Sequence, residues 1–180
     1  MGQSVIDSTP LFDLRAEIPV AATAAEVYAV VSDLTRSAEW SPECMGGTWT
    51  SGEPATVGAV FRGENHRRDD VVGWAPLVRG TWFTEAEIVA AEPGRTFRWA
   101  MRTHTGINQE SVWGFDIDAA DEGSVLTHHF RMGRATLGIQ KITAELDEAA
   151  RERFVVEWTD KLEQDIAQTV KRIKDVIEQG

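Results

Sequence analysis

Two histidines and one cysteine are the residues of this sequence whose chemistry first suggests a reactive site. His128 and His129 are adjacent within the segment LTHHFRM, and Cys44, the only cysteine, lies within SAEWSPECMGG. Neighbouring imidazoles can hold a metal ion, and a thiolate can act as a nucleophile. Both functions require that the surrounding elements bring partner groups to the same place.

The strand that carries the histidines argues against a shared metal ion. Residues 124–132 alternate between apolar and polar, and adjacent side chains of a strand point to opposite faces. The two rings cannot meet at one ion without a bulge, so no metal site is expected. His128 occupies the apolar phase, where an imidazole needs a hydrogen-bond partner. Two roles stay open for it: a satisfied core histidine, or a polar group that contacts a ligand or acts as an acid or base.

Cys44 is expected to be an unreactive side chain in a turn. A nucleophilic cysteine needs a base or a helix N-terminus that lowers its pKa, and no partner histidine can be assigned to it from the sequence. Pro42 restricts the residue before it and so ends a helix, which Trp40 is expected to anchor. We therefore predict that segment 37–47 is the hinge between helices and sheet.

The composition indicates one globular domain of acidic character. The 180 residues are 42% hydrophobic and carry a formal net charge of −11, whose field repels phosphate groups, so nucleic acid is not expected as a partner. A single cysteine, no signal-like N-terminus and short apolar runs favour a cytoplasmic location without membrane insertion. Dinucleotide, P-loop, GxSxG and CxxC motifs are missing from the sequence, and no cofactor is expected.

The spacing of apolar residues predicts the elements that position these groups. Residues 1–12 show no period and are predicted to be a loose leader before a domain of residues 13–180. A half-buried strand opens that domain. Thr23 and Glu26 then form a capping box for an amphipathic helix of about three turns, and a second short helix follows.

After Pro42 the apolar period changes to two for about ninety residues, which predicts an antiparallel meander. From Glu145 the period returns to 3.6 and predicts a long amphipathic helix. We expect its first turns to break or bend, because an unbroken helix would be about 50 Å long. The predicted strands of the meander are 47–51, 57–65, 80–91, 95–104, 110–119 and 124–132.

Four segments stand in an order and spacing that point to one superfamily: IPVAATAAEVYAVVSDLTRSAEWSPE, VGAVFRGEN, EPGRTFRW and ESVWGF. In these segments the chain resembles the SRPBCC superfamily, the START and Bet v 1-like helix-grip proteins, and above all its bacterial polyketide cyclase/dehydrase and lipid-transport branch. The resemblance implies an α+β helix-grip fold, in which a curved antiparallel sheet of about seven strands wraps around the long C-terminal helix after two short helices. It also implies a hydrophobic cavity between sheet and helix, bordered by the hinge.

Three functions are compatible with these features. The first is a binding protein, non-catalytic or weakly catalytic, that holds a small hydrophobic molecule, aromatic, polycyclic or lipid-like, in the cavity. The second is an enzyme that resembles polyketide cyclase/dehydratases, with His128 as its acid or base and Thr103 as a polar neighbour on the same wall. The third is a scaffold, a homodimer in which the regions of Trp74 and Ile139 bury one another.

The predicted cavity wall consists of the large inward-facing residues of the strands and the long helix. Residues 64–70, ENHRRDD, carry both signs of charge and are expected to form a solvated loop. Segments 66–79 and 133–146 are too apolar for ordinary exposed loops and are predicted to be lids or contacts with a second subunit. The predicted ligand-binding residues are Phe61, Trp82, Phe97, Trp99, Met101, Trp113, Phe115, His128, Phe130, Trp158 and Leu162.

Overall fold

A seven-stranded antiparallel sheet and a long C-terminal helix form the fold in a computed structural model that describes residues 9–180. The first eight residues of the predicted leader lie outside the described residues. The first strand begins at Phe12, which the sequence analysis assigned to the leader. Phe12 belongs to the strand because it continues the alternation of Leu14 and Ala16, and its side chain is buried.

The elements confirm the α+β helix-grip architecture. The sheet order is β1-β7-β6-β5-β4-β3-β2, and each pair of neighbours is antiparallel. The strands are β1 Phe12–Val20, β2 Cys44–Ser51, β3 Val60–Arg67, β4 Gly80–Glu92, β5 Thr96–Arg102, β6 Asn108–Ala120 and β7 Gly123–Met132. The helices are α1 Ala24–Val31, a short 3₁₀ helix Leu34–Glu39, α2 Leu137–Thr143 and α3 Glu148–Gln179.

The two predicted short helices are present after β1. The backbone N–H of Glu26 donates to Thr23 Oγ1 over 3.2 Å, and the N–H of Thr23 donates to Glu26 Oε2 over 2.8 Å, which confirms the capping box. The second helix is of the 3₁₀ type. Trp40 follows it and is buried against Val27 and Val31 of α1, so the predicted anchor is confirmed.

The long helix α3 is continuous over 32 residues, so the expected break in its first turns is wrong. Asp147 caps it by accepting from the N–H of Ala150 over 2.8 Å. Its buried residues recur along one side of the helix from Phe154 to Ile173. The preceding segment folds separately as α2, an element that the sequence analysis did not predict.

The closed end of the sheet is filled by α1, whose Val27 and Val31 are fully buried with Phe115, Leu126 and Ile173. The opposite end is covered by α3, α2 and the segment before β4. Large side chains therefore pack in separate groups along the inner face, and the space between these groups is left open. None of the described helices is long and apolar enough to cross a bilayer.

Candidate functional site: the cavity between sheet and helix

A cavity of about 860 Å³ lies between the inner face of the sheet and α3. This volume falls in the range of about 300–1,000 Å³ typical of pockets for small molecules. Its walls come from strands β3 to β7, from α3 and α2, from the hinge and from residues 76–78. The curvature of the sheet thus leaves a space that large side chains on both sides do not fill.

The structure brings ten of the eleven predicted wall residues to the lining of this cavity: Phe61, Trp82, Trp99, Met101, Trp113, Phe115, His128, Phe130, Trp158 and Leu162. Phe97 is placed elsewhere, fully buried with Leu34 and Ile88. Tyr28 of α1 packs edge-on against it at 6.2 Å between ring centroids, and Phe97 is not among the residues that line the cavity. A role of the ten residues in binding remains a prediction.

One wall of the cavity is a stack of flat aromatic rings around His128. The imidazole lies 4.4 Å from the Phe115 ring and 5.7 Å from the Trp113 ring, centroid to centroid. Trp113 in turn stacks on Phe130 at 4.1 Å. Such an array forms an apolar aromatic wall against which another ring system can pack.

The two histidines lie on opposite faces of β7, as the alternation predicts. His129 points away from the cavity, with Nε2 3.3 Å from Asp116 Oδ2. Gly114 leaves room for this ring, because a Cβ there would lie 2.6 Å from His129 Cε1. Among residues 9–180 no group of three or more His, Cys, Asp or Glu side chains is arranged to hold a metal ion.

The hydrogen bond of His128 defines its tautomer. Nδ1 lies 2.8 Å from the carbonyl oxygen of Gly114, which can only accept, so Nδ1 carries the proton. Burial lowers the pKa of His128 to about 4, so the ring is neutral at neutral pH. Nε2 is then a hydrogen-bond acceptor. Nε2 makes no hydrogen bond with any described residue, and His128 is among the residues that line the cavity.

Four charged side chains at the other side of the cavity form a network that the sequence analysis missed. Arg67 Nε lies 2.9 Å from Glu43 Oε2, and Lys161 Nζ lies 3.0 Å from Glu43 Oε1 and 2.5 Å from Asp165 Oδ2. The Arg67 guanidinium lies between the rings of Trp82 and Trp158, at 4.4 and 5.0 Å from their centroids. Two cations and two anions are therefore held together at the cavity wall.

The expectation that residues 64–70 form a solvated loop is wrong for the first half of that segment. Strand β3 extends to Arg67, and the inward phase of Phe61 and Gly63 continues through Asn65 and Arg67. The Arg67 side chain is only 10% exposed. The alternation along β3 could have identified Asn65 and Arg67 as inward-facing residues, but the run of charges concealed it.

The network is electrically self-compensated. Burial acts to raise the pKa of Glu43, but the hydrogen bonds and positive charges of Arg67 and Lys161 outweigh it and hold that pKa below the usual value. For Asp165 burial dominates and raises the pKa, although Lys161 opposes the effect. The two cations are thus paired before any ligand enters.

Cys44 lines the same cavity at the start of β2, but its surroundings do not activate it. Burial raises the pKa of the thiol, so it is protonated at neutral pH. Its Sγ lies 3.6 Å from the carbonyl oxygen of Gly46. The hinge lies where predicted, because the 3₁₀ helix ends at Glu39, β2 begins at Cys44, and residues 40–44 border the cavity.

Both segments predicted to be lids or interfaces contribute to the cavity. Residues 76–78 and α2 line it, and Leu77 and Ile139 are buried in the same apolar group as Phe154 and Trp158. Trp74 packs beside this group and donates its Nε1–H to Glu157 of α3. The chain itself therefore covers part of their apolar surface, whereas Val78 and Leu137 are exposed. Opening of these segments, and pairing through them, remain predictions.

Thr103 does not share a wall with His128, so that expectation is wrong. The pairing of β5 with β6 shifts register between Ala100 and Arg102 and ends at the pair Arg102–Asn108, and Thr103 begins the turn between the strands. Its Oγ1 lies 2.9 Å from Thr105 Oγ1 and accepts from the N–H of Ile107. The bulge could not be located from an alternating pattern.

Fold and cavity together define a helix-grip protein of the SRPBCC superfamily, a class with a ligand-binding fold. The chain belongs to the family described as polyketide cyclase / dehydrase and lipid transport, whose family model matches residues 12–178.

Solved structures support this assignment. The polyketide-cyclase-like protein Cgl2372 of Corynebacterium glutamicum is 28% identical, with a TM-score of 0.63 over 94% of this chain and 93% of that one. The fold is shared by the Zhui aromatase/cyclase of Streptomyces sp. R1128, which is 16% identical, with a TM-score of 0.62 over 93% of this chain and 94% of that one. It is also shared by Ara h 8.0201, which is 13% identical, with a TM-score of 0.56 over 94% of this chain and 99% of that one. No curated protein matches the sequence significantly.

Proposed function

We propose that this protein binds a small hydrophobic molecule, aromatic, polycyclic or lipid-like, in the cavity between the sheet and α3. The observation that carries the proposal is an open space of about 860 Å³ walled on one side by stacked aromatic rings. The family of the chain, whose description includes lipid transport, is consistent with such a ligand.

The energetics of the cavity favour a flat apolar ligand. Burial of apolar surface stabilises a complex by about 25 cal/mol per Å², so a four-ring molecule that buries about 300 Å² gains up to about 7 kcal/mol before the costs of association. Trp99 and Trp113 on the sheet and Trp158 on α3 line opposite sides of the space. A ligand between them should therefore change tryptophan emission.

Titration with 1-hydroxypyrene tests the proposal. We expect saturable quenching of tryptophan emission and a rise in melting temperature with ligand concentration. Met101→Trp narrows the cavity and should weaken binding at least tenfold, because the larger side chain occupies ligand space. Ile107→Trp, on an exposed turn, is the matched control and should bind as the wild type does. Equal affinity of the two variants would contradict the proposal.

A second candidate is a cyclase or dehydratase that uses the same cavity. Polar groups on two walls favour it, since His128 and the charged network both border the open space. Incubation with a reactive poly-β-ketone thioester followed by mass spectrometry tests it: dehydrated cyclic products should form with the wild type and diminish with His128→Asn. Products unchanged from the protein-free control would exclude it. Because a base with a pKa of about 4 is weak at neutral pH, binding is the primary proposal.

A further inference from the structure

We propose that the ligand of this cavity is an uncharged molecule with a hydroxyl group that donates a hydrogen bond to Nε2 of His128. The inference rests on the proposed binding function and names the chemical class of the ligand: a hydroxylated aromatic or polycyclic compound. An ether or a carboxylate is not expected at this position.

The orientation of His128 is fixed from three sides. Nδ1 is committed to the carbonyl oxygen of Gly114 at 2.8 Å, and the imidazole is stacked on Phe115 with 18° between the ring planes. Trp113 lies on the same wall at 5.7 Å, with 26° between the planes. A flip of the ring would turn Nδ1–H away from Gly114 and leave a buried carbonyl without that partner. The lone pair of Nε2 is therefore a permanent feature of the wall.

An acceptor in this environment discriminates between ligands. His128 is only 5% exposed, and the groups around it are aromatic, so an apolar ligand that displaces water from Nε2 leaves it unpaired. A hydroxyl replaces that water and restores the hydrogen bond. The methyl ether of the same ring system has no proton to donate, and a carboxylate would place a charged acceptor against another acceptor.

The charges around the cavity do not reverse this preference. Arg67 and Lys161 are paired with Glu43 and Asp165, so both of these cations already have anionic partners in the protein. Of the remaining basic residues of the lining, Lys141 is exposed on α2, and Arg102 donates through Nη2 to the Gly106 carbonyl in the turn after β5, while its Nε is buried without a partner among the described residues. Neither of these is part of the aromatic stack that holds the imidazole.

The test compares 1-hydroxypyrene, 1-methoxypyrene and 1-pyrenecarboxylate at neutral pH by calorimetric titration. The wild type should bind the hydroxyl compound about five- to tenfold more tightly than the ether, the fold-change expected for one net hydrogen bond. In His128→Asn the amide can still donate to Gly114, but the acceptor on the cavity is lost, so the two affinities should become equal. His129→Asn, which changes the outer face of the same strand, should keep the preference.

Nitrogen NMR of His128 gives a second readout that does not depend on a variant. In the free protein Nε2 should have the chemical shift of an unprotonated ring nitrogen, and 1-hydroxypyrene but not 1-methoxypyrene should move it. A protonated Nε2, equal binding of hydroxyl and ether, or tighter His128-dependent binding of the carboxylate would overturn the inference. If all three compounds bind equally and Met101→Trp weakens them all, only this inference fails; if none binds, the proposed function fails with it.

Discussion

Acid should destabilise this protein through His128 in a way that its burial makes calculable. The folded-state pKa is lowered from 6.5 to about 4, so between these values the unfolded chain binds a proton that the folded protein does not. Stability contributed by the neutral ring is therefore present above the unfolded value and is lost as the pH falls towards the folded value. At a pH below both pKa values, the free energy of unfolding is lower by about 3 kcal/mol, since one pKa unit corresponds to about 1.4 kcal/mol.

Most of this loss of stability occurs within a pH range in which unfolding can be measured. Between about pH 7 and pH 5 the linkage relation gives a fall of about 2 kcal/mol in the free energy of unfolding from His128 alone. We would measure urea denaturation of the wild type and of His128→Asn at both pH values. The wild type should lose about 2 kcal/mol more than the variant across this interval, whatever the variant's stability at the upper value.

A matched variant separates this effect from general acid destabilisation. Thr105→Asn changes an exposed residue without a titratable group in the turn before β6 and should show the pH dependence of the wild type. His129 titrates in all of these proteins, so its contribution cancels in the difference. Parallel pH profiles for wild type and His128→Asn would refute the assignment of a buried neutral imidazole.

Two further changes test the cavity network and the outer face of the sheet. Lys161→Met removes a cation that is 15% exposed and contacts Glu43 and Asp165, and chemical denaturation should show a loss of about 2 kcal/mol in the free energy of unfolding. Lys171→Met, on the exposed face of the same helix, should change that free energy by under about 0.5 kcal/mol. Equal losses in the two variants would contradict the role of the network. Gly114→Ala places a Cβ 2.6 Å from His129 Cε1 and 2.7 Å from Arg98 Cγ and should cost about 1–2 kcal/mol, with a smaller cost in a His129→Ala background. A cost that does not change in that background would show that Arg98, and not the histidine, is the obstacle.

The sheet and the terminal helix could be predicted because each has one buried face. Trp113, Phe115 and the residues beside them alternate with polar groups, and Phe154, Trp158 and Leu162 recur at helical spacing, so the sequence itself carries the period. Helix α2 could not be found in this way. It has seven residues, and its Ile139 is buried only because α3 and β7 provide a surface for it.

The aromatic part of the cavity wall could be predicted from the sequence, whereas the charged part depends on tertiary structure. The network joins Glu43 from the hinge, Arg67 from the end of β3 and Lys161 from α3, which lie far apart in the sequence. Composition alone makes Arg67 look like a member of a solvated charge run. Phe97 shows a second limit: its inward face was predicted correctly, but an alternating pattern does not tell which inward residues pack in the core and which line the cavity.

The most direct test of the binding function is a crystal structure of the protein with 1-hydroxypyrene. We expect electron density for the four rings between Trp113 on the sheet and Trp158 on α3, with the hydroxyl oxygen about 2.8 Å from Nε2 of His128. Density only on the outer surface, or an empty cavity at ligand concentrations that saturate the fluorescence change, would contradict the account.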